Sequence, residues 1–420
     1  MSAPPGRAAA GKTAWLLPLL LLGACAAPKE RPFRAQPVEA AASSPHFAAI
    51  LAEVRVHLPQ HDRAETLEIA SEAGLRRISR RGDLISDGTR EAPSLSFRGP
   101  TGVRILGVLH RGEALIEPHP MGGLKVTLQL PIAAYIEGVV AAEISLWSAQ
   151  PAELEAQAIA ARSYALGTLL KRRRRLSDPS LATLEGSTQD QAYRGAFEPD
   201  SNAGSRSAAR RLHRAVSRTE GQVLFLEGQP LAARYSASCG GHTASLTQVF
   251  PSPISAEQNL EGAPCAGCQT RAEKEDPSDP RGPLRWQVTF SRADLRTLAS
   301  NLGIGSQLLR YELGQLDPSG RWLSVVLVGD RGQKEIPAGA LRAELGHGRL
   351  RSTRIVSSWP HAGDPIEAGL QLEGLGHGHG VGLCQEGARD AAQLGWDARR
   401  ILAWAYPGTE LRDLGLPSRP

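Results

Sequence analysis

Aromatic residues make up only 5% of this 420-residue chain, beside 44 glycines and 30 prolines. That balance argues against long uninterrupted helices and predicts many turns and short strands. A strong charge excess is also missing. The formal +5 falls to about +3 once Arg7 and Lys12 leave with a signal peptide, too small an excess to suggest nucleic acid as partner. No period of 20 to 50 residues repeats, which excludes a solenoid or propeller. The longest apolar run, TAWLLPLLLLGA, is too short to span a bilayer. What remains, 22% charged and 41% hydrophobic residues, is ordinary for a folded protein, with length for two domains or one domain with insertions.

The N-terminus predicts export. Arg7 and Lys12 precede the short apolar run, the pattern of a secretory signal over residues 1–24. Leu22, Gly23, Ala24 and Cys25 form a lipobox, so that Cys25 would receive lipid chains and hold the protein at a membrane face. A plain secretory cut after Ala26 also satisfies the small-x-small rule. Ala26 behind the lipid-bearing cysteine favours the outer membrane of a Gram-negative cell. Residues 25–46, rich in Ala and Pro, have the composition of a tether.

The chain is organised around Pro131 to Leu170. An apolar, β-branched segment through Val139 and Val140 predicts a strand that ends near Glu143. Ser148 as cap and Pro151 in the first turn then predict a helix. Leu154, Ala158, Ala161, Ala165, Leu166 and Leu169 form its apolar stripe. Lys171 to Arg175 suit the negative pole of its dipole. Glu143 is thereby expected at a strand-to-helix junction, where a scaffold can aim one side chain into a cleft.

Before this stretch, residues 47–130 alternate apolar and polar residues at period two in VRVHL, LEIA, LRRIS and VRILGVLHRGEALIEP, the mark of half-buried antiparallel strands. After it come a basic stretch, 171 to 219, and QVLFLEGQPLAARYSAS, a hairpin turning at Glu227-Gly228-Gln229. RWQVTF predicts a strand, Ser291 with Asp294 a capping box, and WLSVVLVGDRGQKEIP a second hairpin. Glycines at nearly every second place from Gly374 to Gly382 predict unusual backbone dihedrals or a very close approach. The fold class is α+β, with 131–412 as the core domain and 413–420 as a tail.

Cys239-x-x-His242 and Cys265-x-x-Cys268 make two chelating pairs, the spacing of a closed structural zinc site. In an exported protein disulfides compete for the same thiols, and free buried thiols are a third reading. Cys384 is left as the odd thiol.

The central stretch, TQDQAYRG at 188 to 195, EGQVLFLEGQPLAARYSASCGGHTAS at 220 to 245, GHGHGVGLCQEGA at 376 to 388 and the closing GWDARRILAWAYPGTEL resemble the stage II sporulation protein D family, also called amidase enhancers. The resemblance covers roughly residues 50 to 412. It implies either a lytic transglycosylase acting on denuded peptidoglycan glycan strands or a helper of peptidoglycan amidases. Members with a CxxH and a later CxxC favour the zinc reading. His377 and Glu386 stand where the family often has tryptophan, and Cys384 where it often has serine.

The resemblance makes Glu143 the single catalytic acid, its pKa raised by Val140, Ile144 and Trp147. It also makes Arg162, Ser163, Tyr164, Asp190, Gln191, Tyr193, His379 and Gln385 candidates for contact with the sugar. Three classes stay open at this point: an enzyme, a peptidoglycan-binding amidase enhancer, and a purely structural zinc-stabilised envelope protein.

Overall fold

Alternation at period two drives the N-terminal part into antiparallel sheet. In the computed structural model, which describes residues 52–251, 260–274 and 284–415 together with Phe47, Asp279 and Gly282, strand Glu53–His57 pairs with Leu124–Pro131 in the register Val54↔Leu130 and Val56↔Leu128. Glu113–Pro118 and Leu95–Phe97 continue that sheet, and Leu184–Glu185 adds a parallel edge. A six-stranded sheet runs from Glu91–Ala92 to Val108–His110 through Gly74–Arg81 and Thr66–Ser71. Their inward residues, among them Val56, Ile69, Ile78, Ile116 and Leu128, are buried in one core. The mixture is α+β, as the sequence predicts. The signal peptide, Cys25 and the tether lie outside the described residues.

The first half of the organising stretch is a helix, not a strand: Ile132–Glu143. Its buried residues Ile132, Tyr135, Ile136, Val139 and Val140 recur at i, i+3, i+4, i+7 and i+8, and this periodicity overrides the β preference of the two valines. Glu143 is the last residue of the helix, three positions after Val140 on the same inward stripe. The chain leaves in an extended conformation at Ile144. Trp147 is 62% exposed.

The following helix, Pro151–Arg173, is capped by Gln150 and not by Ser148, in a capping box with Glu153. Its predicted stripe enters the first core. The opposite face, Ala156, Ile159 and Ala160, enters a second core with Leu224, Leu231, Val381, Leu383, Ile401 and Tyr406. The basic stretch becomes helix Ala203–Arg218, whose buried face is Ser205, Ala208, Leu212, Ala215 and Val216. Arg206, Arg210 and Arg214, at four-residue spacing, are exposed.

The predicted hairpin forms with Glu227 and Gly228 both at positive φ, the mirror-image turn that matches strand twist. Residues 284–375 make a lobe with its own core of Trp286, Phe290, Tyr311, Leu327 and Leu372. It includes the RWQVTF strand, the Ser291–Asp294 capping box and the second hairpin. The chain returns through the glycine-rich loop, where Gly376, Gly378, Gly380 and Gly382 all have positive φ. Leu383–Cys384 then pairs in parallel with Tyr235–Ser236 and leads into helix Gln385–Gln393. The closing segment forms helix Ala398–Ala405. Strand Glu410–Asp413 pairs with Gln222–Leu226.

Candidate functional site

Glu143 is half-buried at a helix C-terminus. Burial pushes its pKa up, while the Ala192 N–H, the Gln385 side chain and the charge of Arg194 pull it down; the rise prevails. The negative end of the helix dipole acts in the same direction as burial. The Ala192 N–H donates to Glu143 Oε1 at 3.0 Å. In that segment Gln191 and Tyr193 are buried and Arg194 is exposed, and the charge of Arg194 acts on the carboxyl.

Behind this segment lies a wall of phenols. Tyr135 donates to Gln191 Oε1 at 3.1 Å, and Gln191 Nε2 donates to Tyr235 at 2.9 Å. Having accepted that bond, the Tyr235 hydroxyl keeps its own proton for another acceptor. Burial holds the pKa of both phenols well above the ordinary range, and the Glu143 charge adds to it. The Tyr193 ring packs between Tyr135 and His110, at 5.6 and 5.7 Å between centroids.

The sugar-contact candidates therefore divide. Gln385, first residue of its helix, reaches Glu143, and its Nε2 lies 3.5 Å from Gln157 Oε1. Gln191 and Tyr193 form the support behind the acid. Arg162 does not face a cleft: it is fully buried and donates to the carbonyls of Thr219, Gln222 and Val216, and burial lowers its pKa to about 10. Ser163 is internal too, bonded to Ile159 O and Leu224 N. Tyr164 donates to Asp190 Oδ1 at 3.0 Å. Asp190 is held bidentately by Arg172 and accepts the Glu185 N–H at 2.7 Å, so both side chains serve as loop anchors. His379 Nδ1 accepts from Val381 N at 3.0 Å, and its ring packs edge-on against Phe250. Burial, with Arg234 and Arg321 nearby, lowers its pKa to about 3; it is a neutral loop support.

The cysteines assemble differently from the predicted set. Cys239, Cys265, Cys268 and Cys384 are buried free thiols whose sulfurs all lie within 4.8 Å of one another. His242 is outside the group, its Nδ1 2.6 Å from Thr243 O. Cys384 takes the fourth corner, with Sγ 3.5 Å from that of Cys268. A tetrahedron with metal–sulfur bonds of about 2.3 Å needs sulfurs about 3.8 Å apart. The surroundings suit thiolates. The N–H groups of Cys239 and Gly387 point at Cys384 Sγ and that of Gly241 at Cys239 Sγ, each at 3.3 to 3.4 Å. Cys384 caps helix Gln385–Gln393, and helix Ala266–Lys274 starts directly after Cys265, placing two positive helix ends at the sulfurs. The donor set fits a structural metal.

Residues 121–226 match the family model SpoIID, stage II sporulation protein. The chain is 25% identical over 290 residues to stage II sporulation protein D of Bacillus subtilis, covering 68% of this chain and 75% of that one. It is 27% identical over 320 residues to an uncharacterized protein of Brachyspira hyodysenteriae, 76% of each. With the amidase enhancer of Bacillus subtilis it shares 23% identity over 326 residues, 66% of this chain and 40% of the relative. The chain carries a stage II sporulation protein D domain over residues 121–226 and is similar over about two thirds of its length to relatives named stage II sporulation protein D and amidase enhancer. Its role is thereby related to the cell wall.

The SpoIID match spans Glu143, the central helix and the 190–194 segment, while Tyr235, Gln385 and the thiols lie beyond it. Tyr135, Arg194 and Tyr235 join the site without a motif of their own in the sequence. Tyr135 carried a signal, two turns before Glu143 on one helical face. Tyr235 reaches the site by long-range strand pairing, which leaves no local mark.

Proposed function

We propose that the chain is a peptidoglycan lytic transglycosylase in which Glu143 is the single acid and base. One observation carries the reading: a half-buried carboxyl whose pKa is raised by burial, oriented by the Ala192 N–H and lying beside Gln385. A protonated Glu143 gives its proton to the glycosidic oxygen as the C1–O bond breaks and positive charge grows on the muramic ring. The ring's own 6-hydroxyl then attacks C1 and returns its proton to the Glu143 carboxylate. The product is a 1,6-anhydro end plus a free sugar hydroxyl, no water is consumed, and the acid is restored. Glycan strands stripped of their peptides are the substrate, and Gln385, which hydrogen-bonds the acid, and Tyr235, on which the acid's charge acts, are the side chains proposed to meet them. In this reading the protein is exported and lipid-anchored through Cys25.

The metal in this proposal is zinc, held by Cys239, Cys265, Cys268 and Cys384. Bound there, it would tie the hairpin end, the 265–268 turn and the glycine-rich loop together, and with four protein ligands it would serve structure and not sugar chemistry.

The test is digestion of denuded glycan with the purified protein, reading anhydromuramyl ends by mass spectrometry. Wild type should generate them and Glu143→Gln should do so at least about 10²-fold more slowly; turnover undiminished by the substitution overturns the assignment. The likeness to the amidase enhancer supports a second reading, a non-catalytic peptidoglycan-binding protein that stimulates an N-acetylmuramoyl-L-alanine amidase. That reading predicts glycan binding without new ends and faster amidase turnover on mixing.

A further inference from the structure

The lobe of residues 284–375 sends one charged side chain into the protein beside the thiols. Arg321 is 0% exposed. Its Nη2 donates to the carbonyl of Cys239, while Nε and Nη1 are buried without a hydrogen-bond partner among the described residues. Gly380 covers the guanidinium so closely that a Cβ there would stand 2.7 Å from Nε. Asp317, the carboxylate nearest in the chain, does not pair with it. Its Oδ1 is occupied by the Ser319 N–H, the Ser319 hydroxyl and the backbone N–H of Arg321, at 2.9, 2.6 and 2.8 Å.

Arg321 is not the only cation there. Arg354 Nη1 donates to Gly240 O at 2.6 Å, and Arg342 Nε donates to Leu350 O at 2.7 Å. Both act on the charge of Arg321 or are acted on by it. None of the three guanidinia forms an ion pair with a described carboxylate; Arg342 and Arg354 are half-buried, but Arg321 is fully buried, where charge is ordinarily paired. Among the described residues the negative groups that bear on Arg321 are Cys239, Asp317 and Cys384; Asp317 already accepts three hydrogen bonds on Oδ1, which leaves the thiols to balance the guanidinium. Four thiolates around a divalent metal carry a net charge of about −2.

We propose that Arg321 is the buried counter-ion of the tetrathiolate metal centre, with Arg354 supporting it across Gly240, so that metal binding and seating of the 284–375 lobe are linked. This rests on the metal reading above. The full-length protein would be loaded with zinc, and with cobalt(II) as a spectroscopic probe, and metal affinity measured by competition with a chelator. Wild type should bind one equivalent with a thiolate-to-cobalt charge-transfer band. Arg321→Met should bind 10- to 100-fold more weakly, the usual effect of losing an outer partner of a metal site, and Arg321→Lys should recover most of the loss. Chelation should also raise hydrogen exchange in residues 317–322.

If Arg321→Met fails to fold, Arg354→Gln carries the test, with an expected loss of several-fold. Arg321→Met or Arg354→Gln that holds metal as tightly as wild type overturns the counter-ion role and leaves the metal reading standing. A wild-type protein that takes up neither zinc nor cobalt overturns both.

Discussion

The backbone N–H of Ala192 donates to Glu143 Oε1 at 3.0 Å, joining the acid to the segment that carries Gln191, Tyr193 and Arg194. This bond and Arg194 favour the ionised carboxyl, and burial opposes them. A general acid must hold its proton, so activity on denuded glycan should fall as pH climbs through the raised pKa of Glu143. Arg194→Gln should move that falling limb to higher pH; a limb that stays in place or moves down counts against this account. Glu143→Gln should lower the rate by about 10²- to 10⁴-fold or more.

To the Glu143→Gln substitution, stability should respond in the opposite sense to activity. A carboxyl whose folded pKa lies above its unfolded value favours the fold fully below pH 4.5 and loses that contribution as pH rises through the folded value. Glu143→Gln should therefore leave the thermal midpoint at neutral pH unchanged or raised. A clear drop on calorimetry would show that the ionised carboxylate is a net stabilising group.

Gly138 lies against the Tyr193 ring, and a Cβ there would run into that ring and stand 2.8 Å from Gly195 O. Gly138→Ala should cost about 1 to 3 kcal/mol as overpacking, read by urea unfolding, and should lower turnover by displacing the segment that holds Glu143. An alanine variant with wild-type stability and rate would show that the segment yields freely.

Arg162 bonds three carbonyls from inside the protein, so Arg162→Leu should cost about 3 kcal/mol or more by leaving buried acceptors unpaired. The Michaelis constant of the folded fraction should stay near wild type. Unchanged stability with weakened glycan binding would return Arg162 to the substrate side.

Metal content separates the two candidate fourth ligands. Cys384→Ser should lose the tightly held zinc measured by mass spectrometry, whereas His242→Ala should keep it. The reverse result would reinstate the predicted Cys–His pairing.

The strands were legible because each buries one face, so that Val54, Val56, Ile69 and Ile78 announce themselves by alternation. The helix ending at Glu143 was hidden by Val139 and Val140, although the spacing from Ile132 to Val140 already favoured a helical period. Arg162 and Tyr164 read as cleft residues in the sequence because a helix buried on two faces shows no outward side there to mark a cleft. His242 was chosen over Cys384 because chelating pairs are a local signal. Cys384 stands 116 residues after Cys268 and arrives only through the parallel pairing of Leu383–Cys384 with Tyr235–Ser236.

Helix Pro151–Arg173 gives its Ala158 side to one interior and its Ala160 side to the other. It is a shared axle with no spare clearance: any swelling of a methyl on either flank would tilt the acid end and the sulfur end together. Engineering aimed at one of them will have to be assayed at both.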